Sequence, residues 1–223
     1  MNTHPTAAGR VRLPGVLALC ALLGTLSGCL APREVLGPKV FVIRPEISVP
    51  KTDQRLAATV GIRDFEAPIQ YDRRMVVLEP DFRIGARSNE SWAEPPAAAV
   101  TRCITDALAA TGRFADVGNS FNMKRPDLEL TGELRAFQEN RTGKSPVAEV
   151  EVRMELRAAR SPKAIWTGTL REAEPLAGDH GNALAVAMNA AVGRLALKAA
   201  QELSAVEYVP EDPNASLEQG KKQ

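Results

Sequence analysis

Residues Val147–Arg157 read VAEVEVRMELR. From Ala148 onward every second residue is apolar (Ala148, Val150, Val152, Met154, Leu156), and Glu149, Glu151, Arg153, Glu155 and Arg157 fall between them. Successive side chains of a strand point to opposite faces, so this stretch predicts a strand with one dry and one wet face, in an antiparallel sheet. Upstream, Asp127–Phe137 (DLELTGELRAF) repeats the pattern, with Leu128, Leu130 and Leu134 opposite Glu129, Thr131, Glu133 and Arg135. Phe137 falls out of phase, which predicts either a bulge or an exposed aromatic at that point. Downstream, Arg160-Ser161-Pro162-Lys163 turns the chain and Ala164–Leu170 (AIWTGTL) returns as a hairpin partner.

Two helical periodicities flank this sheet. After Pro95-Pro96, the residues Val100, Cys103, Ile104, Ala107, Leu108 and Thr111 share one helical face, and Gly112 is placed to cap the helix end. A longer helix over Asn182–Leu203 carries the stripe Leu184, Met188, Ala191, Val192, Leu195, Ala199 and Leu203. Further strands are expected at Val40–Arg44, Leu56–Phe65, Met75–Glu79 and Phe82–Ala86, the last two around a Pro80-Asp81 turn, with a short one at Phe114–Val117. Two amphipathic helices and a sheet with one apolar face predict an α+β fold. The expected packing is a two-layer sandwich, a mostly antiparallel sheet with both helices on one face. The domain is expected over residues 40–205, and the polar residues 206–223, with two prolines, are expected to be disordered.

The N-terminus carries a different message. Arg10 and Arg12 stand without an acid ahead of Leu13–Leu26, an apolar run of fourteen residues. That is too short for the ~20 residues a spanning helix requires, and it suits a signal peptide. The run closes on Leu26-Ser27-Gly28-Cys29, a lipobox: one branched apolar residue, two small ones, then the cysteine whose thiolate accepts a diacylglyceryl group. Residues 1–28 are therefore expected to be removed, and Cys29 to become the lipidated first residue. Each buried methylene adds about 0.8 kcal/mol, so two or three chains, such as palmitate, on one cysteine hold the protein on its membrane essentially permanently. Leu30 follows the cysteine, and no aspartate there argues for inner-membrane retention. The expected location is the inner leaflet of the outer membrane, facing the periplasm. Residues 29–39 form a short tether with two prolines, and ten extended residues reach only roughly 35 Å.

Loss of Arg10 and Arg12 moves the formal charge from +1 to −1. A near-neutral chain does not point to nucleic acid as a partner. Catalytic groups are scarce. His180 is the one histidine left after cleavage, it sits at a helix start, and a capping role is expected there. One histidine and one free thiol, Cys103, do not furnish a zinc site, and Cys103 reads as a small buried hydrophobe. No glycine-rich phosphate loop or nucleophile elbow occurs, and Glu129, Glu133, Glu149, Glu151 and Glu155 are expected on solvent faces. The expectation is a protein with no catalytic residues, no metal and no cofactor.

From Val40 to Leu203 the chain resembles the ABC-type transport auxiliary lipoproteins, the PqiC-like family that accompanies mammalian-cell-entry (MCE) domain lipid transporters. The resemblance rests on the lipobox, the opening strand VFVIRP, Tyr71-Asp-Arg-Arg-Met-Val-Val77, Asn89-Glu-Ser-Trp-Ala-Glu-Pro95 before the first helix, and the alanine-rich last helix. Asp127–Phe137 resembles the family strand that ends in an aromatic–acid pair, although Gln138 here stands between Phe137 and Glu139. The resemblance implies a non-catalytic component that docks the periplasmic conduit of an ABC/MCE system to the membrane. Its partners would be an MCE-domain protein, the ABC transporter components and phospholipid or another lipid. Aromatics and arginine dominate protein contacts, which makes Tyr71, Arg73, Arg74 and Trp92 the candidate partner-binding residues. Trp92 has a competing role as the staple between helix and sheet. Two other readings share the fold: a TolB-N-like or envelope-assembly lipoprotein regulating a cell-wall synthase or barrel protein, and a carrier that holds lipid in its own cavity.

Overall fold

The computed structural model describes residues 37–209; the expected signal peptide, Cys29 and residues 210–223 lie outside them. The chain order is β1 (Lys39–Phe41), β2 (Leu56–Ile62), β3 (Arg74–Leu78), β4 (Ile84–Trp92), α1 (Pro96–Ala110), β5 (Phe114–Asn119), β6 (Leu128–Asn140), β7 (Val147–Ala158), β8 (Ala164–Pro175) and α2 (Gly181–Ser204). The fold is α+β, with an eight-stranded, mostly antiparallel sheet and two helices.

The alternating stretch is β7, paired antiparallel along its whole length with β6 on one side and β8 on the other. Its five apolar residues from Ala148 to Leu156 are all buried, as the alternation predicts. The free edge of β6 then forks. Its first residues, Leu128–Leu130, pair parallel with β2, which carries β5, and its last, Gln138–Asn140, pair parallel with β3, which carries β4 and β1. These parallel pairings were not expected from the sequence; they join segments far apart in the chain, and local patterning does not encode them.

Phe137 resolves as a bulge. Leu134 faces Val152 and Ala136 faces Glu151, so Arg135 is the extra residue. The insertion shifts the phase by one, and Phe137 rejoins the face of Leu128, Leu130 and Leu134 at 1 % exposure. Gly132 lies on the same face, where Phe65 covers it and leaves no room for a side chain: an added Cβ would sit 2.7 Å from the Phe65 ring.

Both predicted helical stripes are buried, and α1 and α2 pack on each other. α2 is long and apolar enough to span a bilayer by composition, yet thirteen of its residues are buried in the core, which makes it a core helix. Gly112, just past α1, has φ +67°, the left-handed conformation a capping glycine adopts. His180 caps α2, its Nδ1 accepting from Ala183 N–H at 3.0 Å. Arg194 clips α2 to β8 through Glu172 (3.0 Å) and Glu174 (2.8 Å), and Lys198 pairs with Glu172 as well.

Several boundaries move. β1 stops at Phe41, because Asn189 of α2 takes over the next backbone groups: Arg44 N–H donates to its Oδ1 (2.7 Å) and its Nδ2 donates to the Val42 carbonyl (3.1 Å). β4 begins at Ile84 and runs through to Trp92, where a lead-in to the helix was expected. Its register jumps between Ala86 and Ser91, and Asn89 has φ +56°, so a bulge hides the strand periodicity. Val206 and Tyr208, expected in the disordered tail, pack against the core, and Arg113 Nε donates to the Ser204 carbonyl at 3.0 Å.

Val152→Asp would place an unpaired charge at a fully buried position. We expect a loss of ~4 kcal/mol, read from urea unfolding; a midpoint like that of the unmodified protein would mean the face assignment is wrong.

Candidate functional site

The four candidate residues meet at one corner of the sheet. β1 brings Phe41 opposite Trp92, and β3 brings Arg74 opposite Ser91. Trp92 N–H donates to the Arg73 carbonyl (2.8 Å), Ala93 N–H to the Phe41 carbonyl (2.7 Å), and Arg73 Nη1 to the Ala93 carbonyl (2.7 Å). The corner therefore locks the start of α1 to three strands.

Exposure separates the four. Trp92 is 2 % exposed, standing edge-on to Phe137 with ring centroids 5.4 Å apart and planes at 78°. Its Nε1 finds no acceptor among the described residues. Tyr71 is 4 % exposed, held in a single 3-10 turn, Ile69–Tyr71. Burial takes both rings away from any partner in this conformation. Arg73 and Arg74 are exposed, and they are what the corner presents.

Tyr71 anchors a polar chain on the sheet face away from Phe137. Its hydroxyl donates to Gln138 Oε1 (2.7 Å), Gln138 Nε2 donates to Glu149 Oε2 (3.2 Å), and Asn140 Nδ2 donates to the same oxygen (2.7 Å). Arg171 pairs with the other Glu149 oxygen. Glu149 is thus buried and not on a solvent face as alternation implied, because the segment carrying Tyr71 folds over that end of the sheet. Burial pushes the Tyr71 phenol above its ordinary value, and the carboxylates of Glu149 and Glu151 add to the rise. Cys103 is buried in α1, and desolvation raises its thiol to about 11, consistent with an inert core residue.

A second charged cluster was not anticipated. The bulge at Arg135 also turns Glu139 onto the core face, where it is fully buried. Arg87, swung inward by the β4 bulge, donates to Glu139 Oε2 through Nε (2.8 Å) and Nη2 (2.7 Å), and Arg141 Nε pairs with Oε1 at 2.6 Å. Asp179, beside the α2 cap, bridges the two arginines at 2.9 and 3.0 Å. Its carboxyl lies below the usual range, first because Arg87 donates to it and then because Arg141 is near. This clasp ties β4, β6 and the start of α2 together. Only the acid four positions past the bulged Arg135 could have signalled it, since its arginines come from separate segments.

Among the described residues no group of three or more His, Cys, Asp or Glu is arranged to hold a metal. A family model for the ABC-type transport auxiliary lipoprotein component matches residues 41–200. The chain belongs to that family. The match spans every element from the end of β1 into α2. Protein XCC0632 from Xanthomonas campestris is similar in structure, with TM-score 0.66 and 15 % identity over 83 % of this chain and 100 % of that one. An uncharacterized protein aligns with TM-score 0.56 and 11 % identity, over 70 % of this chain and 99 % of that one. Hypothetical protein CT253 from Chlamydia trachomatis aligns with TM-score 0.51 and 10 % identity, over 68 % and 98 %. At these identities the likeness is one of fold. No curated protein matches the sequence. Membership of this lipoprotein family implies membrane anchoring and association with ABC transport systems.

Of the two tyrosines, Tyr71 and Tyr208, Tyr71 should ionise above the usual phenol value of ~10 in an alkaline absorbance titration of the folded protein. Because its folded value is raised, the associated stability is intact below ~10 and is lost as pH rises through the raised value. Tyr71→Phe strips Gln138 of its donor and should cost about 1–2 kcal/mol. Arg87→Ala leaves buried Glu139 with one arginine and should cost about 3 kcal/mol in denaturant unfolding, far more than removal of a surface ion pair.

Proposed function

We propose that this auxiliary lipoprotein is exported, cleaved ahead of Cys29 and acylated there. We place it on the inner leaflet of the outer membrane, where its periplasmic domain docks the conduit of an ABC/MCE-type lipid transport system. The observation that carries the reading is the family match over residues 41–200. The lipobox and the short tether support the anchor. The scarcity of catalytic groups supports a docking role without chemistry. We read the two helices as one layer over the sheet, which leaves the opposite face and its rim to a partner, with Arg73 and Arg74 as its candidate contacts. The alternative in which the domain itself carries lipid is disfavoured, because Ala191, Ala196, Ala199 and Ala200 of α2 are fully buried and pack the helices closely on the sheet.

Cys29→Ala should abolish labelling by a clickable palmitate analogue, and undiminished labelling would refute acylation at that residue. A photocrosslinker in place of Arg74 should capture an MCE-domain protein in cells, and adding Arg73→Glu should reduce that capture severalfold. Capture of a cell-wall synthase or a barrel-assembly protein in its place would transfer the reading to a TolB-N-like regulator.

A further inference from the structure

The tip of the β3–β4 hairpin carries an unusual arrangement. Phe82 is 78 % exposed and Ile84 is 55 % exposed, with the Arg83 side chain between them paired to Asp81. Phe82 also has φ +62°, a left-handed conformation that bulky residues rarely adopt and that glycine or asparagine would occupy without strain. The fold holds an aromatic ring outward at a turn where neither solubility nor backbone geometry calls for one.

Register places this tip at one pole of the domain. Leu78 of β3 lies opposite Asn140, the last residue of β6, so the turn that follows projects past that end of the sheet. The β6–β7 loop, with exposed Lys144, emerges at the same end. The first residue of β6, Leu128, lies at the other pole, ~40 Å away at ~3.3 Å per residue. Exposed Lys124 and Arg125 stand there beside Ala158–Arg160, and a second exposed aromatic, Phe121, follows β5, whose last residue Asn119 is level with Leu130 through Ile62, well back from the hairpin tip.

The tether decides between the two poles. β1 runs parallel to β4 with Lys39 opposite Glu90, so the chain ahead of Lys39 comes from the direction of Ile84. Six positions of β4 separate Glu90 from Ile84, a distance of roughly 20 Å. Ten extended residues span roughly 35 Å, which lets the hairpin tip and an acylated Cys29 reach one bilayer with slack. The Leu128 pole lies roughly 30 Å from the start of β1 in the opposite sense, and the tether would have to double back at nearly full stretch.

We propose that Phe82 and Ile84 at the β3–β4 tip dip into the bilayer that holds the lipid anchor, forming a second attachment point. The inference rests on acylation at Cys29. An aromatic and a branched aliphatic enter the headgroup boundary, and Arg83 and Lys144 meet lipid phosphates. The acyl chains supply the affinity, and the hairpin supplies the orientation. With the tip down, the long axis of β6 stands away from the membrane, and the Lys124–Arg125 pole points into the periplasm towards an arriving partner.

The test uses the full-length acylated protein in vesicles of phosphatidylethanolamine and phosphatidylglycerol. An environment-sensitive fluorophore is placed at Phe82→Cys, and in a second protein at Phe121→Cys. Cys103 does not compete for the label, since it is buried and its thiol lies at about 11. The fluorophore at 82 should brighten severalfold on reconstitution and be quenched by spin-labelled phospholipid. The fluorophore at 121 should stay open to aqueous iodide and insensitive to spin-labelled lipid. Protein that floats with the vesicles while position 82 stays as open to iodide as position 121 overturns the membrane contact and leaves the anchor standing. Protein that fails to float overturns both. Brightening at 82 without quenching by spin-labelled lipid means a protein contact covers the tip, and this too overturns the proposal.

Discussion

The extra residue at Arg135 governs the interior of this domain. A strand without it would carry Leu128, Leu130 and Leu134 on the core face and then send Phe137 and Glu139 to the opposite side. With the bulge, one strand spends its first half as a regular apolar face and its second half supplying an aromatic floor and a buried carboxylate. Trp92 stands on that floor, and the packing of the Trp92 edge on Phe137 sets where β4 ends and α1 begins. The corner formed by β1, β3 and β4 has its position because β6 changes phase two residues before Phe137.

The same phase change has an electrostatic cost that the structure meets locally. A carboxylate taken out of water destabilises the folded chain by several kcal/mol unless cations and hydrogen bonds surround it. Glu139 has both oxygens engaged, by Arg87 and Arg141, and Asp179 balances the second positive charge from the rim. The β4 bulge that delivers Arg87 is therefore the counterpart of the β6 bulge that delivers Glu139. On the other face, Glu149 is accommodated by Gln138, Asn140 and Arg171 in the same way. Two buried acids on opposite faces of one sheet end make that end polar and stiff, and the β3–β4 hairpin grows from it.

The membership of the chain in the ABC-type transport auxiliary lipoproteins, the polar rigid end beside the hairpin, and a core packed with alanine describe a solid module presented at a membrane. The exposed arginines at the corner and the exposed Lys124 and Arg125 are surface properties, available to a partner without disturbance of the core. Conformational rigidity keeps the ordering cost of such a contact low.

The two periodicities that matter most are local, and the sequence carries them openly. Alternation in Val147–Arg157 assigns Val150, Val152 and Met154 to the core, and the stripes through Cys103 and Met188 bury the faces they predict, because strand and helix geometry repeat every two and 3.6 residues whatever lies around them. His180 as a cap and Gly112 as a helix end were legible for the same reason, since each acts within one turn. The expected lipobox ending at Cys29 is likewise a reading of contiguous residues, and it lies outside the described residues. Of the candidate surface, residue types at the corner were readable and their exposure was not: Tyr71 and Trp92 look like contact residues in a list of amino acids, and each turns inward because a distant strand supplies Gln138 or Phe137. The parallel pairings of β6 with β2 and β3, and the clasp around Glu139, join segments tens of residues apart. No local repeat records such meetings, and only the folded chain decides which charges and rings face one another.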